Sequence, residues 1–457
     1  MRAPKTVTRS GSRGHGGRSR FAIPAIWPVA GIALLSLLLG GGGSFYAVMN
    51  FIIELAALAA MLWLVPSFRE RLAELPLSLK VLCFCTLCVP LLQLVPVPPG
   101  LWQNVPGGDL SLESRELVGA AGQWFPLSVF PLRTAAALAA LVVPLAMLLL
   151  YRRETMGVQP VLWLIVGLGA VNLLGGAMQI VSGQQWIMPY PIAERERLYG
   201  FFANHNSAGL LFVISTCALL GIRFDRKREM WKWAGCLGLA AAFLIGTVLT
   251  QSRSSTALMA LPLLALLLRT LGEFRPADRG LPPVTYIAGL GAAVIGGLTL
   301  LLTSSRAQDL ILRFGDLEDS RPQIWADTMY SIERFFPLGS GTGTFNEVFQ
   351  LDESLEYLLP TIAGRAHNEY LEVGVESGII GWVLIGAWLI WMLWSTWRSW
   401  RIQPSVATLA VPLALLTIAL QSILDYPLRN VALLCLAGLL VAVLAAQARK
   451  IRDRVID

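Results

Sequence analysis

The sequence predicts an all-α, polytopic integral membrane protein with about twelve transmembrane helices and one long, partly helical loop on the non-cytoplasmic side. Three observations carry that fold class. Hydrophobic residues fill 55% of the 457 positions and charged residues only 14%, with a mean hydropathy of +0.62. That is too apolar for a soluble domain of this length. Apolar runs recur at close to the roughly 20 residues a helix needs to cross a bilayer. Charged residues collect between those runs.

In order, the expected spans are 22–41, 44–65, 79–95, 133–150, 160–181, 205–222, 233–250, 254–271, 284–302, 378–396, 406–424 and 430–447. The first is too long for the apolar region of a signal peptide, and a second span follows at once through Gly40-Gly41-Gly42-Gly43-Ser44. Twelve spans put both termini on one side. Most of the 36 Lys and Arg residues lie in the tail 1–21, in the connections on that same side, and in the C-terminal tail. Arg223-Phe224-Asp225-Arg226-Lys227-Arg228 is the clearest such connection. The bias predicts cytoplasmic termini. Residues 1–21 then form a basic cytoplasmic tail near anionic headgroups, 22–447 the membrane domain with 303–377 as its large outer loop, and 448–457 a second cytoplasmic tail. The net charge of +7 reflects this topology and gives no argument for nucleic acid.

The six cysteines all fall in apolar runs and read as small core residues. Cys83, Cys85 and Cys88 have no histidine or carboxylate near them in sequence, so no metal is expected there. Glu54 is the one ionisable residue placed well inside a span. Transporters and proton pumps keep ionisable groups near the midplane, so the work is expected at the outer boundary of the membrane.

Three segments lie on the outer side, roughly 96–132, 182–204 and 303–377. The last holds 13 of the 29 acidic residues. Within it, Ser320 as N-cap and Pro322 in the first turn begin a helix through Arg321, Trp325, Thr328 and Ile332, which Pro337 and Gly339 end. The run Gly339–Phe345 is a glycine-rich turn whose N–H groups are candidates to meet an anion, although it lacks the lysine of a nucleotide-binding loop. A second helix is expected to begin near His367, with His367, Tyr370 and Gly374 on one face. Glu369, Glu372 and Glu376 form a solvated or headgroup-facing stripe, and Gly374, Gly378 and Gly381 allow close packing against neighbours.

His367 is one of three histidines, and His15 lies in the tail. Imidazole exchanges protons near neutral pH, so His367 is either a catalytic group or a surface residue at a helix end. Arg253, in the tight polar turn Thr250–Ser255, and Arg321 lie where an anionic substrate would meet them. A guanidinium holds phosphate through two parallel hydrogen bonds; the alternative is a headgroup anchor or a carboxylate partner. His205, in Asn204-His205-Asn206-Ser207, is an orienting group or simply a polar helix start.

Several separated motifs then agree in order: Gly200–Asn206, Thr250–Ser254, Arg321–Trp325, Pro337–Gly341, Ala366–Glu372, Glu376–Gly381 and Asp425–Arg429. Together they resemble the bacterial O-antigen ligase and polymerase superfamily. The resemblance implies an inverting, metal-independent glycosyltransferase without a cofactor, in the bacterial inner membrane. It would move a glycan from undecaprenyl pyrophosphate to an acceptor hydroxyl, on lipid A-core or another glycan, at the periplasmic face, which makes the large outer loop 303–377 periplasmic. By the same motifs, His367 corresponds to the essential loop histidine, and Arg253 and Arg321 to the pyrophosphate-binding arginines. His205, Asn206, Gly341, Asn368 and Tyr370 are further substrate-binding candidates. Ligase, polymerase and protein O-oligosaccharyltransferase remain open from sequence, with the ligase favoured. The scarcity of midplane charges and the loop motifs argue against a flippase or other transporter, and a purely structural scaffold would leave the ordered His and Arg motifs without a use.

Overall fold

The computed structural model describes residues 26–183, 189–191, 196–223, 230–273, 321–357 and 364–449. The chain is a helical membrane protein. Its principal helices are α1 (Ile26–Leu39), α2 (Ala47–Trp63), α3 (Leu77–Gln93), α4 (Pro131–Leu150), α5 (Gln159–Val181), α6 (His205–Gly221) and α7 (Met230–Leu249). There follow α8 (Arg253–Glu273), α9 (Arg321–Phe335), α10 (Phe345–Asp352), α11 (Glu369–Ile402), α12 (Val406–Gln421) and α13 (Val431–Gln447).

Eleven of the twelve expected spans overlie apolar helices among these, but the count of twelve is not established. Among the described residues, five helices are long and apolar enough to cross a membrane: α4, α5, α7, α8 and α11. A sixth is possible if α2 and the bent segment after it, Val65–Glu74 at 54°, form one span. The other apolar helices are shorter, and the expected span 284–302 lies outside the described residues. So do the tail 1–21, Ser320 and most of the C-terminal tail.

The helix α6 is the centre of the bundle. It is apolar on every side, and all of its residues but His205 are buried, the pattern of a helix enclosed by others. The helices α5, α7, α8 and α12 surround it. Opposite, α13 packs on α4 and α1. The segment 96–130 between α3 and α4 is not wholly helical: Pro96 pairs with Pro126 and Val97 with Phe125 in a short antiparallel ribbon. Arg115 lies over the Trp102 and Phe125 rings beside it.

A smaller apolar cluster fixes the long hydrophilic segment to the bundle. Ile332 and Phe335 of α9 and Phe345, Val348 and Phe349 of α10 meet Ala366 and Val375. The Arg334 side chain bonds Asp352 at 2.5 Å, which ties α9 to α10.

The helix α11 is broken at Gly378, whose φ of 54° and ψ of −141° are outside helical space. A Cβ there would collide with the Pro337 carbonyl, which instead accepts the Ile379 N–H at 3.1 Å. Only glycine adopts that conformation without strain. The break corrects the expected role of the glycine series. Gly374 faces Trp382, and Gly381 faces Val373 and Ser377, so these two serve the fold of α11 on itself rather than contact with other helices.

Candidate functional site

The site forms where the start of α11 meets the connection between α12 and α13. Asn368 caps α11: its side-chain oxygen accepts the N–H groups of Tyr370 (3.1 Å) and Leu371 (3.2 Å). The helix therefore starts at Glu369, and His367 lies before it. Its φ of 49° turns it out of the helical path, so it does not share a helix face with Tyr370 and Gly374 as expected. A non-glycine residue held in left-handed space is strained, and such strain gathers at functional sites.

His367 is one-third exposed, with 34% of its side chain accessible. Its Nδ1 faces Oδ1 of Asp425 at 3.5 Å. Asp425 is 1% exposed. That separation is longer than a formed hydrogen bond, and catalytic hydrogen bonds commonly tighten only when substrate binds. Asn204 donates through Nδ2 to both Asp425 oxygens, at 3.1 and 3.3 Å. The Tyr426 ring lies 5.2 Å from the imidazole, and the Arg365 guanidinium lies 5.7 Å from the centre of that same Tyr426 ring. Burial, and then the Asp425 charge, pushes the Tyr426 hydroxyl above its ordinary range. That hydroxyl keeps its proton near neutral pH and is no candidate for a base.

The expected glutamate stripe is not solvated. Glu369, Glu372 and Glu376 are 7%, 0% and 1% exposed, and they converge on Arg429. Arg429 meets Glu376 at 2.8 Å, Glu372 at 3.5 Å and Glu369 at 3.7 Å. Burial works against its charge, but the carboxylates of Glu376, Glu372 and Glu369 outweigh burial and raise its pKa above the ordinary value. Arg365 pairs with Glu372 at 3.1 Å and also bonds Ser44. Ser422 donates to Glu369 at 2.8 Å, and the Glu369 N–H donates to the Ser422 carbonyl at 2.8 Å. This network locks α11 against residues 422–429, and so sets Asp425 opposite His367.

The glycine turn 339–345 is consumed within the fold. The Ser340 and Gly341 N–H groups donate to the Val375 and Glu376 carbonyls at 2.8 and 3.0 Å, and the Thr342 N–H to the Gln93 side chain at 2.8 Å. Gly341, at φ 117°, packs on Ser128 where a Cβ would collide. The turn thus braces the α11 break; these N–H groups already have acceptors in the protein.

Arg321 begins α9, and one turn later Trp325 donates its Nε1–H to the Ala366 carbonyl at 2.8 Å. The start of that helix is therefore held to the residue before His367. Arg253 begins α8, after Gln251 in left-handed conformation at φ 56°. Ser255 there donates to the carbonyl of Asn206 at 3.1 Å, and Gln421 donates to Ser254 at 2.8 Å. The α8 start thus abuts the α6 start, where Asn204 and His205 lie. His205 bonds Arg197 at 2.9 Å, and Arg197 donates to Gln251 at 3.2 Å. Asn206 is buried, and its N–H is capped by the Asn204 oxygen at 2.8 Å. Tyr370 donates its hydroxyl to the Ala419 carbonyl at 2.8 Å.

Three participants escape a reading of the sequence. Asp425 and Arg429 stand in a quoted motif, yet nothing nearby gives them a task; their partners are more than fifty positions away. Arg197 lies in an otherwise plain loop and is buried beside His205.

Beside this network is a cavity of about 980 Å³. Its walls come chiefly from apolar side chains of α2, α4, α11, α12 and α13, and Arg133, Arg365, Glu369 and Arg429 also line it. Glu54, the ionisable residue expected inside a span, lies on its wall.

Residues 237–386 match the family model described as O-antigen ligase, which supports the resemblance to the O-antigen ligase and polymerase superfamily over that stretch. The matched stretch contains Arg253, Arg321, Gly341, His367, Asn368 and Tyr370, and stops short of Asp425. No curated protein matches the chain.

Proposed function

We propose that this chain, similar to the O-antigen ligase family over residues 237–386, is an inverting, metal-independent glycosyltransferase of the inner membrane, with the ligase reaction as its activity. It transfers a glycan from undecaprenyl pyrophosphate to a hydroxyl of lipid A-core at the periplasmic face. The observation that carries this reading is the partly exposed His367 backed by the buried Asp425 carboxylate. A neutral imidazole with its Nδ1–H towards a carboxylate presents a basic Nε2 to an acceptor hydroxyl. The hydroxyl oxygen attacks the anomeric carbon, its proton passes to Nε2, and the bond to the pyrophosphate oxygen breaks with its electron pair.

Arg253 and Arg321 are assigned to the pyrophosphate. Each begins a helix, so backbone dipole and guanidinium both favour an anion there. Stabilising the charge that grows on the leaving group is worth more in the transition state than in the ground state. Arg197 and His205, bonded to each other, lie beside the start of α8, where Arg197 donates to Gln251. The cavity of about 980 Å³ has the volume and apolar walls that suit part of a polyprenyl chain.

A deletion strain tests the reaction. The ligase reading expects full-length polymer left on the lipid carrier and unmodified lipid A-core. Single repeat units on lipid A-core identify a polymerase instead, and normal lipopolysaccharide with unglycosylated protein identifies a protein glycosyltransferase.

A further inference from the structure

We propose that Asn204 is the positioning residue of this site: its amide fixes the Asp425 carboxylate in the orientation that faces His367. The proposal rests on the catalytic reading of His367 for its purpose, and on geometry alone for its content. The orientation of the amide is determined by its surroundings. Its Oδ1 accepts the Asn206 N–H at 2.8 Å, so Nδ2 must point the other way, where both Asp425 oxygens lie at 3.1 and 3.3 Å.

Asp425 needs such a partner. It is 1% exposed, so water does little to orient it. Among the described residues, Asn204 is the side chain that hydrogen-bonds it, and His367 is the group it faces. Sharing one NH₂ group between the two oxygens fixes the carboxylate plane. The choice of a neutral donor matters as well. A lysine or arginine there would neutralise Asp425 and remove its preference for an imidazole N–H, whereas an amide leaves the charge directed at Nδ1.

The support behind Asn204 is rigid. Asn204 is the N-cap of α6, the helix enclosed on all sides, and Ser255 of α8 bonds the carbonyl of Asn206. The same side chain therefore closes the first turn of α6 and orients a carboxylate 221 positions later. The consequence for His367 is a single tautomer, with the proton on Nδ1 and a free lone pair on Nε2.

The chain has only three histidines, so ¹⁵N-histidine NMR of the full-length protein reads His367 directly, with His367→Gln as the assignment control. The wild-type protein is expected to show one pyrrole-like Nδ1 and one pyridine-like Nε2. Asn204→Ser keeps a helix-capping oxygen and loses the amide; it is expected to collapse that separation towards an average of the two tautomers. Asn204→Asp also keeps the cap, sets a second carboxylate against Asp425, and is expected to do the same. In the Asn204→Asp, Asp425→Asn double variant the donor–acceptor pair is restored in reverse. Its thermal midpoint is expected to return towards wild type while the tautomer separation does not, which a purely structural role would not produce.

Transfer is measured in parallel, with lipid-linked glycan and lipopolysaccharide core extracted from a deletion strain. Asn204→Ser is expected to lower kcat about tenfold or more with little change in KM. If both single variants keep the wild-type separation of Nδ1 and Nε2, the positioning role is overturned, whatever the transfer rate. If the separation is lost and transfer is unchanged, Asn204 positions Asp425 as proposed and the catalytic reading of His367 fails instead.

Discussion

His367 and Asp425 face each other at 3.5 Å although 58 positions separate them in the chain. The pairing is not a local accident. Arg429, four residues after Asp425, binds three glutamates on successive turns of the helix that starts two residues after His367. The charge network thus sets the register in which the imidazole meets the carboxylate.

Asp425→Asn is the most informative change at that contact. The shape is kept, while the carboxylate that favours the Nδ1–H tautomer is lost. Transfer is expected to fall by about 10²–10⁴-fold, the range that general-base catalysis supplies, with the protein still folded. In vitro transfer by the purified variant measures it.

Arg429→Ala leaves Glu369, Glu372 and Glu376 buried without their shared counter-charge. Removing one member of a buried ion network costs about 3–5 kcal/mol. The variant is expected to show a lowered thermal midpoint in detergent and reduced levels in membranes. Arg429→Lys, which keeps the charge but not the planar fork, is expected to fall between wild type and Arg429→Ala.

Gly378→Ala tests the broken helix. A methyl group there meets the Pro337 carbonyl in a conformation that L-residues rarely adopt. A cost of about 1–3 kcal/mol is expected from the backbone strain alone. Thermal unfolding should show it, along with reduced transfer, since the same break supports the glycine turn and the base of α11.

Arg253 and Arg321 should behave alike if both hold the leaving group. Replacing either with alanine is expected to lower transfer by about 10²–10³-fold, and lysine should recover only part, because it lacks the paired donors. Transfer at saturating donor separates this from weaker donor binding: a loss in kcat supports the assignment, and a pure rise in KM assigns them to binding alone.

Much of the architecture is legible in the sequence because bilayer thickness imposes its own period. Eleven expected spans fall on apolar helices, and α9 runs from Arg321 to Phe335, stopping before Pro337 as its residues imply. The buried charges are not legible. Glutamates at 369, 372 and 376 follow the pattern of an exposed helix face, and only the distant Arg429 turns that face inward. Gly378 reads as one of three packing glycines because sequence carries no record of its left-handed φ. Asp425 stands in a motif but has no neighbour in sequence that reveals His367 as its partner, and Asn204 reads only as part of a polar helix start.

The central claim is that His367 serves the acceptor hydroxyl, and His367→Ala tests it most directly. Membranes holding the variant at wild-type protein levels would be supplied with lipid-linked glycan and lipopolysaccharide core from a deletion strain. The account predicts that glycan transfer falls to background while the protein remains folded. Transfer at the wild-type rate would contradict it.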